Sequence, residues 1–169
     1  MPALDTNILV RFIVQDDAAQ FAAAKRLISR CVADGSTLFV PVTVALELEW
    51  VLRSSFGFDK RDVLQTLSGL LSSRELSFES ERAVEVALQL FRQSSADFAD
   101  CLHVALSAQA GEQPLWTFDK GAAKISGARL LAKTLSGSCE PPLSQGERGP
   151  HCAEGGPGLV PSPSGRGLG

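Results

Sequence analysis

The strongest constraint on this chain is its alternation of helix-period segments with very short apolar runs. Asp17 can cap a helix whose apolar stripe is Phe21, Ala24, Ile28, Cys31 and Val32. Residues 37–40 then read as a buried strand stopped by Pro41, and residues 43–53 have a helical pattern. Asp59 precedes a helix with Val63, Leu64, Leu67, Leu70 and Leu71 on one side, and residues 75–78 form the next short strand. Ser80 opens a helix with Ala83, Val84, Ala87, Leu88 and Phe91 at helical spacing. Asp97 caps another, with Leu102, Ala105, Leu106 and Ala108 facing inward and Gly111 past its end. Residues 115–118 and 128–131 complete the strands. Strands separated by helices require crossovers, so the expected class is α/β, three-layered, with a central mostly parallel sheet flanked by helices.

Composition removes other classes. The chain has 169 residues, one domain's worth, and 44% are hydrophobic, so a core can form and disorder of the whole chain is excluded. Sixteen basic residues against 19 acidic ones exclude a strongly basic coat, though not a local basic face. No run approaches the roughly 20 apolar residues of a membrane span. The start, Met1-Pro2-Ala3-Leu4-Asp5, lacks the basic and apolar regions of a secretory signal. Cys31, Cys101, Cys139 and Cys152 form no CxxC pair, so the expectation is a cytoplasmic protein with reduced thiols.

The composition shifts near Gly137. Residues 141–169 hold 8 of the 15 glycines and 6 of the 9 prolines, with no apolar period. Such a segment cannot offset its ordering entropy by burial. The expected organisation is a domain over 1–136 and a disordered Gly/Pro-rich extension over 137–169. The extension carries 2 basic and 3 acidic side chains, so it is no basic arm.

Ligands of parallel α/β sheets bind at the carboxyl ends of the strands, and acids stand there. Asp5 follows the first apolar run, in Leu4-Asp5-Thr6-Asn7, and Asp119 follows Trp116-Thr117-Phe118. Asp97 and Asp100 open a helix that can reach the same edge. Glu47 lies in the apolar run Val44-Ala45-Leu46-Glu47-Leu48-Glu49-Trp50, where a carboxylate must be exposed, paired or bound to a cation. Two unit charges about 4 Å apart repel by roughly 4 kcal/mol at an effective dielectric of 20. Converging carboxylates therefore need protons or a cation. Oxygen-only donors select a hard ion, Mg²⁺ or Mn²⁺, which suits phosphodiester hydrolysis. No His/Cys set has zinc spacing.

The segments Leu4-Asp5-Thr6-Asn7-Ile8-Leu9, Leu46-Glu47-Leu48-Glu49-Trp50-Val51-Leu52, Asp97-Phe98-Ala99-Asp100-Cys101-Leu102-His103 and Thr117-Phe118-Asp119 resemble the PIN-domain nucleases, and among them the VapC-like toxins of type II toxin–antitoxin pairs. Each motif alone is weak; the ordered set is specific. The resemblance implies a metal-dependent endoribonuclease on a PIN-like fold, with RNA as substrate, a cognate antitoxin as partner and a homodimer as the assembly. Carried over singly, Asp5, Glu47, Asp100 and Asp119 match the four acidic positions that would serve as metal ligands and catalytic groups. Thr6, Asn7 and Thr117 match the polar residues that support them. The extension past the domain departs from the family pattern.

Plainer readings compete at each position. Asp5 and Asp119 could be turn residues, and Asp97 with Asp100 resembles a capping box. Asp97 is assigned mainly to capping and support, Asp100 to the metal. Glu47 and Glu49 lie about 200° apart around a helix, so one faces the site; the family pattern selects Glu47 and leaves Glu49 as a solvated charge. His103 reads as a packing residue, and Trp50 and Trp116 as core or interface residues. Two other functions stay open: another Mg²⁺-dependent phosphotransfer enzyme, such as a phosphatase using Asp5 as nucleophile, and a non-catalytic PIN-like RNA-binding or interaction module. The first usually wants a second acid two residues on, where Asn7 stands. A chain ending at Ser136 is expected to keep the full chain's thermal midpoint; a fall in midpoint, read by circular dichroism, would place a packing role in the extension.

Overall fold

The computed structural model describes residues 2–132. The expected extension from 137 lies outside the described residues. Asp5 is followed by α1 (Thr6–Val14), a helix the sequence reading passed over because its apolar residues merge with the run before it. Gln15 ends it in the left-handed region at φ 59°. Asp17 then starts α2 (Ala18–Ala33) as expected, its carboxylate accepting from the Gln20 amide at 2.9 Å. The first strand, β1 (Leu38–Val40), stops at Pro41, and α3 (Val42–Phe56) follows at once. Gly57 closes α3 at φ 68°, a conformation that costs other residues a Cβ clash.

Asp59 starts α4 (Lys60–Leu71) with a full capping box, each of Asp59 and Asp62 accepting from the other's amide. After β2 (Leu76–Phe78) comes α5 (Glu81–Gln93), which buries Ala83, Val84, Ala87, Leu88 and Phe91, the stripe read from its spacing. Ser80 precedes it at φ 52° and makes no side-chain cap. The last helix, α6 (Phe98–Ala110), buries Phe98, Cys101, Leu102, Val104 and Ala105. Ala108, expected inside, is exposed, because the helix turns a Phe98–Cys101–Ala105 face to the core instead. A short strand β3 (Leu115–Thr117), a 3-10 turn (Ala122–Lys124) and β4 (Ala128–Leu130) follow.

Both strand pairs are parallel, as the crossovers require. In β1–β2 the partners are Leu38 with Leu76, Phe39 with Ser77 and Val40 with Phe78. In β3–β4 they are Leu115 with Ala128, Trp116 with Arg129 and Thr117 with Leu130. The expected first strand is a single parallel bridge, Ala3 to Phe39. Among the described residues the layer is thus two parallel pairs and a bridge, flanked by six helices.

The core runs through Leu9, Leu38, Val40, Leu48, Leu52, Val63, Leu67, Val84, Phe98 and Leu102, all buried. Phe91 and Phe98 meet edge to face at 5.8 Å between centroids and join α5 to α6. Cys31 and Cys101 are buried free thiols. Trp50 and Trp116 are not core: they are 60% and 57% exposed. No described helix is long and apolar enough to cross a membrane.

Phe98→Ala is expected to cost about 3–5 kcal/mol, because a closed core site cannot refill an aromatic ring's volume. Asp59→Ala is expected to cost about 1 kcal/mol, the worth of a cap. Urea denaturation followed by circular dichroism checks both.

Candidate functional site

Parallel pairing sets the first acids. The Phe39 amide donates to the Pro2 carbonyl and the Leu4 amide to the Phe39 carbonyl, both at 2.8 Å. Asp5 is therefore delivered to the carboxyl end of this pairing. It occupies the N-cap position of α1 but makes no side-chain cap; its Oδ2 accepts from Asn7 Nδ2 at 3.3 Å. The next residue reaches across. Thr6, buried, donates from Oγ1 to Glu47 Oε2 at 2.5 Å, tying the start of α1 to the second turn of α3. Glu47 is thus tied to the residue that follows Asp5.

The other two acids arrive from the second half. Asp100 stands in the first turn of α6, half-buried. Burial pushes its carboxyl above the ordinary aspartate range, and the charges of Asp119 and Asp97 push it the same way. His103, one turn on, pulls in the opposite direction; it is exposed rather than packed, contrary to expectation. Asp119 follows β3 with one unpaired residue between, in a turn closed by its own atoms. Its amide donates to Thr117 Oγ1 at 3.0 Å, and its Oδ1 accepts from the Ala122 amide at 2.7 Å. Gly121 passes so close that a Cβ there would stand 2.9 Å from Asp119 Oδ1.

Asp97 departs from its capping assignment. It sits at the N-cap of α6, but its side chain makes no cap bond and no capping box forms with Asp100. Its Oδ1 lies 4.0 Å from Arg53 Nη2 instead. Glu49 also departs from expectation. It is 2% exposed rather than solvated, and its carboxylate is in ionic contact with Arg53 Nε one turn along α3. Neither of those two atoms has a hydrogen-bond partner among the described residues. Burial pushes the Glu49 carboxyl up, and Arg53 only partly opposes it. The helix-surface argument failed because α3 is covered on both sides, so the face opposite Glu47 is interior. Arg53 was missed altogether. The Glu-x-x-x-Arg spacing on one helix was its legible signal.

The two halves share a cleft of about 380 Å³ lined by Leu46, Glu47, Trp50, Arg53 and Asp97 among others. Size does not pick it out: an apolar cleft of about 390 Å³, lined by Leu9, Phe12, Ile28 and Leu76, holds none of the four acids. The structure thus joins Thr6 to Glu47, Asn7 to Asp5, Asp100 to Asp97 and Asp119 by charge, and Glu47 to Asp97 by a common wall. Among the described residues no three His, Cys, Asp or Glu side chains stand as a ready ligand group. The four acids named from the sequence nonetheless offer only oxygen, and Asp100 is pressed by burial and by the charges of Asp119 and Asp97. That combination fits a hard divalent ion and no soft one.

Residues 3–128 match the PIN domain family, and the chain belongs to that family. A relative within it is the VapC ribonuclease of Aquifex aeolicus (strain VF5). It is 22% identical over 125 residues, which span 74% of this chain and 92% of the relative.

Because burial outweighs the pairing at Glu49, the two partners are not equivalent. Arg53→Met leaves a buried carboxylate alone and is expected to cost about 3 kcal/mol, whereas Glu49→Gln removes the buried charge and is expected to cost less than 1 kcal/mol. Thermal unfolding of the two variants at neutral pH measures the asymmetry.

Proposed function

We propose that this protein is a Mg²⁺- or Mn²⁺-dependent endoribonuclease that hydrolyses RNA phosphodiester bonds, and that it is the toxin of a toxin–antitoxin pair. The observation that carries the reading is the match of residues 3–128 to the PIN family, with Asp100, partly buried, close enough to Asp119 and Asp97 to feel their charge. A divalent ion would relieve such like charge and favour the ionised carboxylate. Asp5, Glu47, Asp100 and Asp119 would hold the ion. When bound there, it supplies activation of water and neutralisation of charge on the scissile phosphate.

The chain's own groups do the positioning. Thr6 holds one oxygen of Glu47, and the other would be available to a cation. Asn7 restrains Asp5 in the same way. The turn at Thr117 and Ala122 holds Asp119 by one oxygen. These three acids therefore keep acceptor capacity for a cation while a neutral neighbour restrains each of them. No side-chain nucleophile is needed. The similarity to a VapC ribonuclease supports RNA as substrate, and an antitoxin protein, a second copy of the chain and a cytoplasmic setting belong to the same proposal.

The test is cleavage of single-stranded and structured RNA by the purified protein. Asp100→Asn is expected to abolish cleavage without unfolding the domain, since the amide is nearly isosteric but a poor partner for a hard ion. Chelation by EDTA is expected to do the same and excess Mg²⁺ or Mn²⁺ to restore activity. Asp97→Asn is expected to be milder. Cleavage surviving EDTA would overturn the metal mechanism. RNA bound but never cleaved, with any divalent ion, would favour a non-catalytic module.

A further inference from the structure

The cleft beside the acids contains two groups that the proposed chemistry does not use. Trp50 is 60% exposed, a large aromatic surface left to solvent on a helix whose other apolar residues are buried or half-buried. Arg53, three residues on and so on the same helix face, lines the same cleft. Its guanidinium is held by one edge: Nε contacts buried Glu49, and Nη2 stands 4.0 Å from Asp97. At 4.0 Å and with Asp97 72% exposed on its side chain, the second contact is screened by water. The first is not, because Glu49 is almost wholly enclosed. A buried charge that gains little stability has another use: it fixes the fork of the arginine in one direction. An oriented guanidinium beside an open aromatic face is the pairing that receives a phosphate and its neighbouring base in single-stranded nucleic acid.

We propose that Trp50 and Arg53, with Glu49 as the buried positioning residue, form a subsite for one nucleotide of single-stranded RNA flanking the scissile bond, its base stacked on Trp50 and its phosphate on Arg53. The inference rests on the ribonuclease reading and deepens it. Glu47 and Asp97 line the same cleft, so a strand lying in it meets Glu47, one of the four acids proposed to hold the ion. Asp97 competes with the phosphate for the guanidinium, which gives the subsite a signature of its own.

The test is fluorescence anisotropy of a labelled single-stranded RNA with the full chain carrying Asp100→Asn, in Mg²⁺, over a series of salt concentrations. Adding Trp50→Ala is expected to weaken binding roughly tenfold with an unchanged salt slope, because stacking releases no counterions. Adding Glu49→Gln together with Arg53→Gln is expected to weaken binding and flatten the slope by about 0.7, one phosphate contact on a single strand. That double variant keeps a neutral polar pair in place of the ion pair, and Arg53→Lys, which keeps charge without the fork, serves if it unfolds: binding weakens while the slope holds. Adding Asp97→Asn is expected to tighten binding. If Arg53 only braces Asp97, then Asp97→Asn will weaken binding as the Arg53 variants do, and the subsite is overturned. It is equally overturned if Trp50→Ala leaves affinity unchanged, or if Trp50→Ala converts a dimer to a monomer in light scattering, since Trp50 then faces a second copy. RNA binding by the parent with no effect of these variants removes the subsite and leaves the ribonuclease reading standing. A parent that neither binds RNA nor, as wild type, cleaves it removes both.

Discussion

A strand of three residues can share only a few ladder hydrogen bonds with a single neighbour, and each is worth little net of water. The strands β1 to β4 are all of that length. In β1–β2 the register is protected because packing excludes water from Leu38, Val40 and Phe78, whereas β3 and β4 stay half-buried or exposed. The contact between α5 and α6 is sealed by Phe91 against Phe98 and belongs to the same core as Leu38, Val40 and Phe78. Since Asp97 precedes α6 and Asp100 stands in its first turn, the packing of α6 against α5 also fixes where those two carboxylates stand.

Acids in this domain are handled in two ways. Asp17, Asp59 and Asp62 spend their oxygens on backbone amides at helix starts, where the dipole favours them. Asp5 and Asp97 occupy equivalent N-cap positions and do not. Their carboxylates turn outward, toward Asn7 and Arg53. Forgoing two caps gives up roughly 1 kcal/mol each. That stability is surrendered where the family resemblance puts the chemistry, as functional sites commonly require.

The helices and their order were readable because apolar spacing and capping residues are local. The stripe of α5 and the starts of α2 and α4 agree with it residue by residue. What was not readable depended on packing between elements. Helix α1 was hidden by an apolar run that could equally be strand, and Glu49 looked solvated because a helical wheel does not say how many sides are covered. For the site, motif order pointed to Asp5, Glu47, Asp100 and Asp119. The Thr6 link to Glu47 and the aim of Arg53 are contacts across 41 and 44 positions, and nothing short of a fold joins them.

Asp119 owes its direction to a neighbour with no side chain. The Gly121 backbone passes beneath the carboxylate at a distance that leaves no room for even a methyl group, and Oδ1 is already engaged by the Ala122 amide. A single added carbon would have to evict that oxygen from its bond and swing the acid aside. The fourth acid's aim is thus encoded partly by an empty volume. In a library of random variants, Gly121 would be expected to tolerate little, for a reason that a survey of charged residues alone passes over.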